Sequence, residues 1–270
     1  MLAPKTLAPE FAEWNRRHKA PYGAAWWRAV RDGPSGLRIW RQRFRMPRVL
    51  MKLAGEFGFQ ENSPTRRFEY PWCYSAAGLK PGMSVVDIGA GASGFQFVLA
   101  SEGVEVTSVD PLLLPPGKTN WIFTRKEYHK LNRAFGGRVR FVQEFLENAG
   151  LPSDSVDRVF SVSVIEHVPA DVIGPLMREV RRVLKPGGLF VATIDLFLDV
   201  RPFADAAMNE WGSNTDVRAL VEASGMEIVV GDRSQLHGYA EFDPARVRGM
   251  LDRVMVDGRT LTQCLVLRKK

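Results

Sequence analysis

The chain has 270 residues, 45% hydrophobic and 25% charged, an ordinary globular mixture large enough for one good core with a cap. Its net charge of +7, with arginine commoner than lysine and no dense basic run, reads as scattered solubilising charge or as a bias toward an anionic partner. Two cysteines, Cys73 and Cys264, read better as free buried thiols than as a disulfide or a metal clip, and no apolar run reaches membrane-span length, so a cytoplasmic protein with no membrane partner is expected.

Residues 1–78 read as a helical cap. Leu37, Trp40 and Phe44 share one helical face up to Pro47, and Val49, Leu50, Leu53 and Phe57 continue a second. The cap holds Trp14, Trp26, Trp27 and Trp40 and ends in a ring-dense run, Arg66-Arg-Phe-Glu-Tyr-Pro-Trp-Cys-Tyr74. Aromatic residues at helical spacing are core residues, or, where a cap walls a pocket, they meet a flat or apolar ligand; Tyr70, Trp72 and Tyr74 are the candidates.

From residue 79 to residue 270 strands and helices alternate, the pattern of a mostly parallel sheet with helices on both faces. Strands are expected near 84–88, 104–109, 138–142, 156–162, 188–194, 226–231 and 260–268, and helices near 94–102, 124–135, 169–184, 213–224 and 244–255. The pivotal stretch is Ser84-Val-Val-Asp-Ile-Gly-Ala-Gly-Ala-Ser-Gly-Phe95, where an apolar strand passes through a glycine turn into a helix. Gly89, Gly91 and Gly94 fit the spacing G-x-G-x-x-G, and the helix start directs unpaired N–H groups over the turn, so a small ligand is expected there. Asp110 closes the next apolar run, where an acid would meet ribose hydroxyls. Asp87 at the mouth of the turn repels a pyrophosphate and suits a ligand bearing a sulfonium and an ammonium.

These residues, together with Ser108-Val-Asp110, Asp157-Arg-Val-Phe-Ser-Val-Ser-Val-Ile-Glu-His-Val168 and Leu184-Lys-Pro-Gly-Gly-Leu-Phe190, resemble in order and spacing the class I S-adenosylmethionine-dependent methyltransferases over residues 79–232. The resemblance implies a Rossmann-like sheet in the order 3-2-1-4-5-7-6 with an antiparallel last strand. It implies that Asp87, Gly89, Ala90, Gly91 and Gly94 hold the methionine part of S-adenosylmethionine, Asp110 and Pro111 the ribose, and Glu144 and Phe145 the adenine, with Ser161 and Ser163 near the transferring methyl. For Glu144 the alternative is a solvated acid at a helix start.

His167 is a candidate general base or a residue that closes the strand-to-helix turn. His237 and Asp195 are further catalytic candidates, and Arg201 meets an anionic acceptor or forms a surface salt bridge. Ser163 stands where metal-binding relatives place a glutamate, so no metal is expected. The apolar connection Pro111–Gly117 is a lid, a partner contact or a packed loop, whereas Lys185-Pro-Gly-Gly188 only ends a helix and turns the chain.

The functional expectation is methyl transfer to a small molecule, at oxygen of an aromatic or apolar specialised metabolite. The alternatives are an RNA or protein methyltransferase and a non-catalytic cofactor-binding protein of the same fold. No nucleic-acid partner is expected because no appended binding module is present, and oligomeric state stays open.

Overall fold

The computed structural model describes residues 1–112 and 124–270. The cap contains α1 (Pro9–His18), α2 (Ala25–Asp32), α3 (Gly36–Arg41), α4 (Arg48–Ala54) and α5 (Arg66–Ala77). Then follow β1 (Ser84–Ile88), α6 (Phe95–Ser101), β2 (Glu105–Val109), α7 (Arg125–Ala134), β3 (Val139–Val142) and β4 (Val156–Val162). The chain ends with α8 (Ala170–Val183), β5 (Leu184–Phe197), α9 (Val217–Ser224), β6 (Glu227–Val230), α10 (Pro244–Arg248) and β7 (Thr260–Arg268). The sheet order is β3-β2-β1-β4-β5-β7-β6, parallel except for β7, which runs antiparallel to β5 and β6. Fold class and strand order are those the sequence motifs imply.

The pleat sorts each strand between two apolar layers. Val85, Val191, Cys264 and Val266 face a layer shared with α5, α6, α7 and the cap, while Val86, Phe190, Ala192, Leu265 and Leu267 face the layer with α8 and α9. Both free cysteines are buried in the first layer, where burial pushes their thiols up. Phe57, Phe59, Phe68 and Tyr70 of the cap share that layer with Phe95 and Phe160. The helices before β1 therefore share one core with the sheet.

Three boundaries differ from the sequence reading. Strand β5 begins directly at Leu184, and Lys185–Gly188 form an irregularity between the pairings Val156↔Leu184 and Arg158↔Leu189. Helix α9 starts later than expected because Asp216 caps it, its side chain accepting from Ala219 N at 2.8 Å. Helix α10 ends at Arg248, before Gly249. The largest departure lies in the cap. Phe44 and Phe57 are buried, but Leu37, Val49, Leu50 and Leu53, expected on inward faces, are exposed. The faces of α3 and α4 that meet the rest of the chain are narrower than the periodicity allows, and in α4 only Met51 and Ala54 are buried.

Where the cap meets the glycine turn the fit is tight. A Cβ at Gly94 would stand 2.7 Å from the Glu56 carbonyl carbon and the Phe57 nitrogen. Those are backbone atoms of a 3₁₀ turn, Glu56–Gly58, and cannot rotate aside. Gly94→Ala should therefore cost about 1–3 kcal/mol, read as a lower midpoint in chemical denaturation with an unchanged slope.

Candidate functional site

The glycine turn leaves β1 at Ile88 and is held from several directions. Gly91 adopts φ 54°, a left-handed conformation, and its N–H donates to Asp110 Oδ2 at 2.8 Å. The other carboxylate oxygen of Asp110 accepts from Leu112 N at 2.7 Å. Gln96 Nε2 donates to the carbonyls of Gly91 and Ser93, and Tyr128 donates its hydroxyl to Gln96 Oε1 at 2.9 Å. Sequence reasoning missed Gln96 and Tyr128; a buried glutamine one residue into a helix is their only trace.

Asp87 is 2% exposed, and burial, with the nearby Asp110 carboxylate second, pushes its carboxyl up to about 8. Burial raises Asp110 as well, against the two N–H groups it accepts from. Two buried acids thus share the mouth of the turn, and no basic side chain figures among the groups that shift either of them. Gln60 of the cap approaches the same place: its Oε1 would lie 2.9 Å from a Cβ on Gly91, and it is buried without a hydrogen-bond partner among the described residues. This set fits a ligand that brings positive charge and N–H donors, as the methionine end of S-adenosylmethionine does. Ala90 is buried beside it, and Pro111 is half-buried. Glu144 and Phe145 follow β3 on the surface, with Phe145 45% exposed. Most of the apolar connection after Asp110 lies outside the described residues.

The ends of β4 and β5 carry a second polar group. Ser163 has φ 51°, a strained geometry for a residue with a Cβ, secured by its N–H donating to Thr193 O at 2.9 Å. Its Oγ lies 2.5 Å from Glu166 Oε1 and 2.9 Å from Asp195 Oδ2. One hydroxyl proton cannot serve two carboxylates, so the arrangement closes only if one carboxyl keeps a proton and donates it to Ser163. Burial raises both carboxyls, Asp195 especially, with Glu166 and Glu69 adding like charge to it. Glu166 Oε2, Asp195 Oδ1, Thr193 Oγ1 and Ser161 Oγ are buried without partners among the described residues.

Helix α5 packs against β4 and β5 and brings Arg66 and Glu69 to this group. Arg66 pairs with Glu69, and Glu69 Oε1 accepts from Thr262 Oγ1 at 2.7 Å. Burial alone would lower the guanidinium, but Glu69, with Tyr70, Asp195 and Glu166 behind it, more than offsets this and keeps it charged. Arg66 and Glu69 had no role in the sequence reading, because only the packing of α5 on the sheet brings them to Glu166 and Asp195.

The expected rings lie deep in this packing. Tyr70 is 2% exposed, stacks on Phe95 and donates its hydroxyl to Asn62 Oδ1 at 2.9 Å, with Ser93 Oγ 3.3 Å away. Trp72 stacks on Phe68, and Tyr74 tilts against Trp14, half-buried.

Both histidines tether one segment. His167 Nδ1 contacts the Trp211 carbonyl and His237 Nδ1 the Thr215 carbonyl, which assigns Nδ1–H and leaves each Nε2 as the basic atom. His167 Nε2 stands 3.9 Å from Glu166 Oε1. Arg201 turns back on its own loop, donating from Nε to Asp205 O at 3.0 Å, and forms no salt bridge among the described residues.

The raised Asp87 carboxyl has a calculable consequence. Below about pH 4 folded and unfolded states are both protonated and stability is full; between about 4 and 8 the unfolded chain ionises while the folded one stays neutral, so stability falls. Asp87→Asn should lose less stability than the parent chain between pH 5 and 8, by the order of a few kcal/mol, in paired denaturation series. Parallel pH profiles would show that Asp87 ionises freely.

Residues 86–192 match the family model described as a methyltransferase domain. A sterol 24-C-methyltransferase of Gibberella zeae is 28% identical over 148 residues, half of this chain and 37% of that protein. An uncharacterized methyltransferase of Mycobacterium bovis is 25% identical, covering 72% of this chain and 84% of its own length. The chain thus spans little more than a third of the length of the sterol enzyme it matches. Among solved structures, the 1,6-didemethyltoxoflavin-N1-methyltransferase of Burkholderia thailandensis, with bound S-adenosylhomocysteine, superposes with a TM-score of 0.52 at 20% identity, covering 100% of this chain and 95% of that one. Fold, motif order and family match agree: residues 86–192 match a methyltransferase domain, on a sheet with the strand order expected of the class I S-adenosylmethionine-dependent methyltransferases, and the findings are consistent with that class.

Proposed function

We propose that the protein transfers the methyl group of S-adenosylmethionine to a small-molecule acceptor held between the ends of β4 and β5 and the cap. The observation that carries this reading is the buried pair Asp87 and Asp110 at the glycine turn, a site that favours a cationic ligand. When bound, S-adenosylmethionine supplies a sulfonium-activated methyl open to in-line displacement. The chain's own part is orientation and exclusion of water. Asp87 and the turn, with Gly89, Gly91 and Gly94, take the methionine end; Asp110 takes the ribose while holding Gly91; Glu144 and Phe145 flank the adenine.

For an oxygen acceptor, His167 Nε2 is the base, its ring aligned by Trp211, and Asp195 and His237 are the other candidates. An aromatic or apolar acceptor draws support from the name of the sterol relatives, but less from Tyr70 and Trp72, whose rings are engaged in the core.

One observation favours a second reading of the acceptor atom. The Ser163, Glu166 and Asp195 group carries buried negative charge, which stabilises an acceptor that becomes cationic on methylation, an amine nitrogen or an electron-rich carbon. The same group disfavours an RNA acceptor, whose phosphates it would repel.

Calorimetric titration with S-adenosylhomocysteine and, separately, NADH tests the cofactor assignment: binding of the former alone is expected, and binding of NADH alone would overturn it. Asp110→Ala should weaken S-adenosylhomocysteine by about 1.5–3 kcal/mol. With labelled methyl donor and an acceptor pool, His167→Ala should lower turnover about 10²–10⁴-fold at unchanged cofactor affinity if the acceptor is oxygen. Full turnover would leave His167 as the tether of Trp211 alone.

A further inference from the structure

The stretch Ala25–Ala54 holds eight of the 37 basic residues and one of the 30 acidic ones, so it carries the whole net charge of +7 and the remaining residues balance. Its single acid, Asp32, is paired with Arg31. The arginines are thus concentrated, though the intervening apolar residues hide this from a search for a dense run. Arg38, Arg41, Arg45, Arg48 and Lys52 are all exposed.

The same stretch exposes aliphatic side chains. Leu37 is 66% exposed, Val49 69% and Leu53 53%, with Leu50, Val30 and Trp26 also open. Helix α4 is amphipathic with an outward apolar side: Met51 and Ala54 anchor it, while Val49, Leu50 and Leu53 point away between Arg48 and Lys52. Apolar side chains left outside by packing and rimmed by cations mark a surface that meets a partner.

We propose that the outer face of α2, α3 and α4 docks on the anionic surface of a lipid bilayer. Arginine and lysine meet the headgroup charge, and Leu37, Val49, Leu50 and Leu53 enter the headgroup–acyl boundary. A second copy of the chain fits poorly, since a two-fold contact would oppose two faces of like charge. RNA would use the cations and one open ring, Trp26, but gains nothing from Leu37, Val49, Leu50 and Leu53, which lack the flat faces on which bases stack, and Trp40 is already covered by Arg31 and Arg43. This departs from the sequence expectation of no membrane partner. No helix among the described residues is long and apolar enough to cross a membrane, so the contact is peripheral. The inference rests on exposure and charge, independently of the transfer chemistry.

The test is sedimentation of the full chain with phosphatidylcholine vesicles containing phosphatidylserine, and with phosphatidylcholine alone, at low and physiological salt. Partition to the anionic vesicles is expected. Arg48→Ala with Lys52→Ala should weaken it about 25-fold, some fivefold per cation. Val49→Ser with Leu53→Ser, at exposed positions, should leave a weaker association that salt reverses fully. S-adenosylhomocysteine affinity checks that both variants are folded and, if it fails in the parent chain, reports on the transfer reading alone. Absence of partition, partition unaffected by either variant, or binding of single-stranded RNA in preference to vesicles would overturn the proposal. So would loss of thermal stability in the serine variant with unchanged partition, which would mean that the chain itself covers the patch.

Discussion

Arg66 and Glu69 enter the interface between cap and sheet together, and much of the site depends on their pairing. A lone charge at either position would cost several kcal/mol to bury; as a pair, with Thr262 as a further partner, they let α5 lie on β4 and β5 with Arg66 15% exposed and Glu69 fully buried. That packing brings an arginine within electrostatic reach of Glu166 and Asp195 and limits the repulsion among three buried carboxylates. Ser163 completes the arrangement by linking two of them, accepting a proton from one carboxyl and donating its own to the other.

Two regions of the molecule carry opposite electrostatic character. At the strand ends, buried acids gather where a cationic ligand is expected; on the outer cap, cations gather around exposed aliphatic groups. The two meet at the 3₁₀ turn Glu56–Gly58, which follows α4 directly and presses on Gly94 at the start of α6. Whatever binds on the outer cap is therefore one short turn of chain from the glycine turn.

Much of the core was legible because its signals are local. The motif from Ser84 to Phe95 encodes strand, turn and helix through apolar run, glycine spacing and a change of period, and the remaining strands stand out as apolar runs. Boundaries failed where a distant or capping contact decided them: Asp216 delays α9, and pairing with β4 and β7 lengthens β5 at both ends. The roles of Gln96, Tyr128, Arg66 and Glu69 were hidden because a buried polar side chain has no periodicity of its own. Its partner lies on another element, 32 positions apart for Gln96 and Tyr128 and 193 for Glu69 and Thr262.

The sequence by itself determined the fold class, the strand order through its family resemblance, the glycine turn and the acids Asp87 and Asp110, because these follow from local backbone requirements and spacing along the chain. Tertiary structure alone decided that Asp110 holds the turn it was expected to accompany, that Ser163 lies between the carboxyls of Glu166 and Asp195, and that Leu37, Val49 and Leu53 face outward. Each of these depends on which surfaces remain after the elements have packed. Helical periodicity specifies an apolar face but not what covers it.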